Sequence, residues 1–144
     1  MASKDAKQPS RSAGMFEIFG IGTDIVECVR IGRLIERYGE LFLRRVYTER
    51  EILYCQGRRR ATEHFAARWA AKEAVVKAFG TGWRRGMNWT DIEIRHDPQG
   101  RPQVLVRGTV KEFVQKQRIA DVLLSMSHCR TYATALAIAL MRSS

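Results

Sequence analysis

Two carboxylates, one lysine and one histidine are the side chains on which this sequence could run chemistry. Within Thr62–Phe79, Trp69, Glu73 and Lys77 recur at i, i+4 and i+8, so they share one stripe of a helix. His64, Arg68 and Lys72 form a neighbouring stripe. As a surface ion pair, Glu73 and Lys77 would contribute only about 0.3–0.5 kcal/mol. Their setting suggests more: Ala66, Ala67, Ala70, Ala71 and Ala74 let the helix pack closely, and it runs into Gly80-Thr81-Gly82. A carboxylate and an ammonium aimed together from such a helix could hold a metal and a phosphate. Asp24, directly after Gly20-Ile21-Gly22-Thr23, reads either as the N-cap of a helix starting near Val26 or as a second carboxylate beside Glu73. Paired hard oxygen ligands suit Mg²⁺, which binds through one or two carboxylates plus substrate phosphates. Ser125-Met126-Ser127-His128 ends in a histidine that is either a structural hydrogen-bonder or a cofactor contact. Ser127 and His128 point to opposite faces of an extended strand, which argues against a nucleophile–base pair. The adjacent Cys129 has no sequence feature that would activate it. Arg44-Arg45, Arg58–Arg60 and Arg84-Arg85 are solvated loop charge or contacts to phosphate or an acidic partner.

These residues need elements to hold them. Met15–Ile25 is rich in β-formers and, with Gly20 and Gly22, predicts a strand ending in a tight or irregular turn. Val26–Tyr38 has helical spacing. Thr48-Glu49-Arg50-Glu51 has capping-box form and opens a short helix to about Cys55. The strongest helix is Thr62–Phe79, with Thr62 as N-cap and a left-handed cap at Gly80. Trp89–His96 and Gln103–Arg107 read as strands joined by the turn Asp97-Pro98-Gln99-Gly100. Thr109-Val110-Lys111-Glu112 is a second capping-box match, starting a helix to about Gln117. Val122–Ser127 and Tyr132–Met141 read as strands around a turn at His128–Thr131. This order predicts an α+β domain over residues 15–144, preceded by a polar, disordered tail over 1–14.

The composition bounds the function. A chain of 144 residues suits one domain, and 45% hydrophobic with 28% charged residues is an ordinary globular balance. The longest apolar stretch, near Ala133–Met141, falls far short of the ~20 residues of a membrane-spanning helix. Lys and Arg total 25 against 15 Asp and Glu, a net charge of +10 that predicts an acidic partner or ligand. A non-enzymatic nucleic-acid binder would explain that charge, with Trp83 and Trp89 as stacking residues. No RNP, KH or helix-turn-helix signature accompanies it, and the expectation is no nucleic acid. Three widely spaced cysteines without a CxxC fit a reducing, cytoplasmic compartment.

Three segments together resemble a known family. Gly20-Ile21-Gly22-Thr23-Asp24-Ile25-Val26, then Phe65–Ala74 (FAARWAAKEA) followed by Lys77-Ala78-Phe79-Gly80-Thr81-Gly82, and finally Leu124-Ser125-Met126-Ser127-His128 are similar to the holo-[acyl-carrier-protein] synthases of the 4′-phosphopantetheinyl transferase superfamily. Order and spacing match from about Phe16 to Met141, including Asp91-Ile92-Glu93-Ile94 and Gly100-x-Pro102. The resemblance implies a mixed, mostly antiparallel sheet packed on a long central helix. It implies transfer of phosphopantetheine from coenzyme A to a serine of apo-acyl carrier protein, releasing adenosine 3′,5′-bisphosphate, in fatty acid biosynthesis. Asp24 and Glu73 would then ligate Mg²⁺, and Lys77 would contact the coenzyme A phosphates. Gly80 and Gly82 would admit the nucleotide to the backbone, with Arg68 and His128 also at the cofactor. The short members of the family are homotrimers with sites between subunits, and they dock carrier protein on a basic first helix, where Arg30 and Arg37 fall here. Two features depart from the pattern: the tail before Met15 is longer, and Cys129 replaces a small polar residue. The motifs contain no obvious general base, and carrier domains of polyketide or peptide synthesis are alternative acceptors.

Overall fold

The computed structural model describes residues 15–143. Its centre is a helix, α4 (Ala61–Phe79), on which 13 of 19 residues are buried, so it is covered nearly all round instead of showing one apolar stripe to a core. The alanines make that position attainable. Ala66, Ala70, Ala71 and Ala74 are fully buried, and α4 packs on strand β5 (Tyr132–Arg142), whose Ala133, Ala135, Ala137 and Ala139 are buried as well. β5 is the middle of a three-stranded antiparallel sheet, flanked by β1 (Phe16–Glu27) and β4 (Ile119–His128). Together with α4 it forms the frame of the molecule.

β1 does not end at its glycines. It runs through Gly20 and Gly22 to Glu27, with one irregularity of register between Ile18 and Gly20. The glycines serve close approach instead of a turn: a β-carbon at Gly20 would stand 2.0 Å from the carbonyl oxygen of Ala78, and one at Gly22 would stand 2.0 Å from that of Ala74. Asp24 follows on the same face of the strand, paired across the sheet with Ala135, so it is not a helix cap. The first helix, α1 (Cys28–Tyr38), begins later than its periodicity suggests, and its N-cap Glu27 makes no side-chain cap bond.

A short helix α2 (Glu40–Val46), not expected from the sequence, follows Gly39, which holds a positive φ of 53°. In α3 (Glu49–Gln56) the Thr48–Glu51 capping box forms in both directions. The Thr62 cap does not form, because α4 starts one residue earlier behind Arg60 with no side-chain cap. The Thr109 box does not form either, since α5 (Gly108–Lys116) begins behind Arg107. Instead, the Asp91 carboxylate accepts from the Asn88 N–H at 3.0 Å, around the single 3-10 turn Trp89–Asp91. That turn leads into the hairpin of β2 (Ile92–His96) and β3 (Pro102–Val106), a separate two-stranded sheet. The fold is thus α+β with antiparallel pairing throughout the described residues, as expected. The tail assigned to residues 1–14 lies outside them.

Candidate active site

The close approach of β1 to α4 sets the register of the site. Gly20 lies against Ala78 and Gly22 against Ala74, so the next residue on that face, Asp24, falls about one turn further back along α4, where the Lys77 side chain reaches it. The Lys77 Nζ donates to Asp24 Oδ1 at 3.0 Å and to the Thr23 carbonyl oxygen at 2.9 Å. Lys77 therefore pairs with Asp24 and not with Glu73. Asp24 is largely covered and Lys77 half-exposed, so the ammonium keeps an open side. A groove of about 620 Å³ opens beside them, lined by Thr23, Asp24, Ile25 and Lys77 with Ser125, Ser127, Thr134 and Leu136.

Glu73 is half-buried, and one of its oxygens, Oε1, accepts a hydrogen bond of 3.2 Å from the Trp83 indole N–H. This partner was not legible in the sequence, because it depends on how the loop after α4 returns. Gly80 caps α4 in the left-handed region at φ +74°, and Gly82 follows at φ +61°. Nothing crowds a β-carbon at either position, so glycine is favoured there by backbone conformation alone.

The neighbouring stripe of α4 turns inward. Lys72 is fully buried; its Nζ donates to Glu51 Oε1 and the Val46 carbonyl oxygen, both at 2.7 Å, and to the Trp89 carbonyl oxygen at 3.1 Å. Burial lowers the Lys72 pKa, while the Glu51 charge opposes that shift. Glu51 spends its other oxygen on the Ile94 N–H, tying α3 to β2. Nearby, Glu93 accepts from Thr48, Arg95 and Arg107. Burial pushes the Glu93 carboxyl up, but these donors and arginine charges outweigh it and hold the group below its ordinary value.

Arg68 is 2% exposed, with its guanidinium 4.2 Å over the Tyr54 ring, Nη2 3.4 Å from His96 Nδ1, and Nε without a partner among the described residues. Together with Arg50, Tyr54 and Arg95 it lines a pocket of about 280 Å³. Burial lowers the His96 pKa, and the Arg68 and Arg58 charges lower it further. His128 is exposed at the end of β4, 3.2 Å from Glu63 and edge-on to His64. Glu63 is ten residues before Glu73 on α4, about 15 Å along the axis. One chain therefore joins Asp24 to Lys77, with Glu73 one turn before Lys77 on α4, and sets Arg68 and His128 toward the N-terminal half of that helix.

Arg30 and Arg37 lie on the exposed side of α1, Arg30 5.8 Å from the Trp69 ring centre and Arg37 5.3 Å from that of Tyr38. Beside them is a feature that sequence reasoning missed along with α2: a groove of about 600 Å³ lined by Leu34, Tyr38, Leu41, Phe42 and Arg45.

This frame, a glycine-bearing strand laid on an alanine-rich helix with Asp24 beside the Glu73–Lys77 turn, is that of a phosphopantetheine-transferase fold. The chain belongs to the 4′-phosphopantetheinyl transferase superfamily, whose family model it matches over residues 20–137. It is similar to the holo-[acyl-carrier-protein] synthase of Protochlamydia amoebophila, 45% identical over 83% of this chain and 95% of that one. The synthase of Koribacter versatilis is 47% identical over 84% and 97%. Among solved structures, the synthase of Neisseria meningitidis superimposes with a TM-score of 0.80 at 37% identity, covering 85% of this chain and 98% of that one. The synthase of Bacillus anthracis, solved in complex with CoA (3′,5′-ADP), superimposes with a TM-score of 0.71 at 35% identity over 86% and 97%.

Proposed function

We infer that this chain transfers the 4′-phosphopantetheine group from coenzyme A to a serine of apo-acyl carrier protein, giving holo-carrier protein and adenosine 3′,5′-bisphosphate. The observation that carries the reading is the Lys77–Asp24 contact, which joins the first and second motifs at one open-sided ammonium beside a groove. The named activity of the relatives and the coenzyme A complexes of the solved neighbours support it.

In this reading the acceptor serine hydroxyl attacks the pantetheine-side phosphorus, and the nucleotide leaves with the P–O bond electrons. Such a transfer needs alignment and charge stabilisation more than covalent help. Lys77 donates to the phosphate oxygens, and the backbone at Gly80 and Gly82 lies open to the nucleotide. Asp24 and Glu73 would hold Mg²⁺. Two carboxylates fit that ion better than a transition metal, and among the described residues no group of three or more His, Cys, Asp or Glu is placed to form a closed cage. When bound, Mg²⁺ supplies charge stabilisation on the pyrophosphate oxygens.

We place Arg68 and His128 in a coenzyme A site supplied by a second copy; the support is that His128 lies at Glu63, about 15 Å along α4 from Glu73. A homotrimer with sites between subunits answers both this separation and the bare apolar face of the main sheet, where Ile18, Ile21, Ile25 and Leu123 are about half or more exposed. Carrier protein docks on the basic side of α1, and the groove beside it accepts apolar side chains. The reading places the enzyme in the cytoplasm, in fatty acid biosynthesis. Free thiols at Cys28, Cys55 and Cys129 suit such a compartment, and no described helix is long and apolar enough to cross a membrane.

The test is intact-mass spectrometry of apo-carrier proteins of fatty acid, polyketide and peptide synthesis, each incubated with the protein, coenzyme A and Mg²⁺, with an EDTA control. The expected result is a metal-dependent gain of one phosphopantetheine on the fatty acid carrier. No gain on any carrier, from folded protein that binds coenzyme A, overturns the reading.

A further inference from the structure

Four aromatic rings form a continuous pile along the outer side of α4. Phe42 lies 6.0 Å from Trp69, Trp69 4.3 Å from Trp89, and Trp89 4.3 Å from Trp83, all within 30° of parallel. The pile is anchored at its third ring, because the Trp89 carbonyl oxygen is held by Lys72, itself buried and bonded to Glu51. Its far end is Trp83, whose indole N–H donates to Glu73 Oε1. The segment carrying Gly80 and Gly82 is thus fastened on both sides, by the cap of α4 before it and by the stacked Trp83 after it.

We propose that Trp83 is a positioning residue for Glu73: its N–H fixes the carboxylate with Oε1 engaged and Oε2 turned out to receive the divalent cation. This rests on the reading of Glu73 as a metal ligand. An indole is well suited to the task. It is neutral and donates only, so it orients the carboxylate without neutralising it and without competing for the cation. A lysine in its place would neutralise the carboxylate. Outer hydrogen bonds to ligating carboxylates set ligand orientation, and their loss costs metal affinity. The stacking on Trp89 supplies the rigidity that a bond from a loop residue otherwise lacks.

The test is Mn²⁺ binding to the full chain, read by electron paramagnetic resonance of free Mn²⁺ with coenzyme A present and carrier protein omitted, so that no turnover is involved. Trp83→Phe keeps the ring on Trp89 and removes only the donor; it should weaken Mn²⁺ about tenfold. Its thermal midpoint and its KM for coenzyme A at saturating metal should stay at parental values. Trp89→Phe, which leaves the Trp83 N–H in place, should bind Mn²⁺ as the parent does. Parental affinity in Trp83→Phe overturns the proposal, and so does an equal loss in both variants, which would make packing the cause. Glu73→Gln separates the two levels: if it too binds Mn²⁺ like the parent, the metal reading of Glu73 fails first.

Discussion

Lys77 takes Asp24 as its partner although Glu73 stands one turn away on its own helix, and the choice follows from where the strand lies. Gly22 brings β1 into contact with α4, its β-carbon position 2.8 Å from Lys77 Cβ, so the nearest carboxylate is on the strand. The intrahelical pair that i, i+4 spacing allows therefore does not form. The motif residues stand out in the sequence by their types and spacing. Their partners could not: Trp83 reaches Glu73 through a loop, and Arg68 reaches Tyr54 and His96 across three elements. Asp24→Ala should lower kcat by more than about tenfold while leaving an unfolding transition like the parent's, since the residue lies at the rim of the groove and not in the core. The check is the carrier-protein mass assay run as a time course over a Mg²⁺ series. Near-normal turnover at low Mg²⁺ would remove Asp24 from the metal site.

Elements were legible where one local signal was strong. The end of α4 falls at Phe79 as expected, because Gly80 takes up the left-handed cap. The Thr48–Glu51 box forms because Thr48 and Glu51 are both drawn into the buried network with Glu93, Lys72 and Ile94. The identical pattern at Thr109 has no such anchor and stays unused, and the seven residues of α2 are too few for periodicity to declare them. Glycines misled for a related reason: in a strand they mark a close neighbour as readily as a turn. Gly22→Ala should cost about 2 kcal/mol or more, because the obstructing atoms are backbone. Gly32→Ala, inside α1 with its nearest neighbour at 3.4 Å, should stabilise by about 0.5–1 kcal/mol. Urea titration of both variants decides it, with equal m-values and midpoints displaced in opposite directions. On the same helix, Arg30→Glu should raise KM for carrier protein about tenfold and leave that for coenzyme A unchanged, since a docking charge acts on encounter with the acidic partner. Equal effects on both substrates would detach α1 from docking.

At the scale of the whole molecule, the +10 charge and the bare sheet face ask for different partners. In the proposed function the charge is answered by carrier protein; the charge was readable from composition, which left the kind of acidic partner open. The sheet face was not, because alternation along β1 and β5 tells which residues share a side but not which side α4 covers. The structure settles that: the alanines of β5 and the glycines of β1 go under the helix, leaving Ile21, Ile25 and Leu136 outward. In the proposed trimer a second copy covers this face, and the expectation is that Arg68 and His128 of one chain then serve the site of Asp24 and Glu73 of the next. Ile21→Lys, with Asp24, Glu73, Lys77, Arg68 and His128 intact, should sediment below the trimer expected of this 16.5 kDa chain and lose transferase activity. Complementation is the sharper experiment. Asp24→Ala and Arg68→Ala are each expected to be inactive, but after mixing and exchange of subunits a heterologous ring regains intact sites wherever a chain with native Asp24 meets a neighbour with native Arg68. In an equal mixture that is about a quarter of all interfaces, so about a quarter of parental activity should return. A mixture that exchanges subunits yet stays inactive would place each complete site within a single chain.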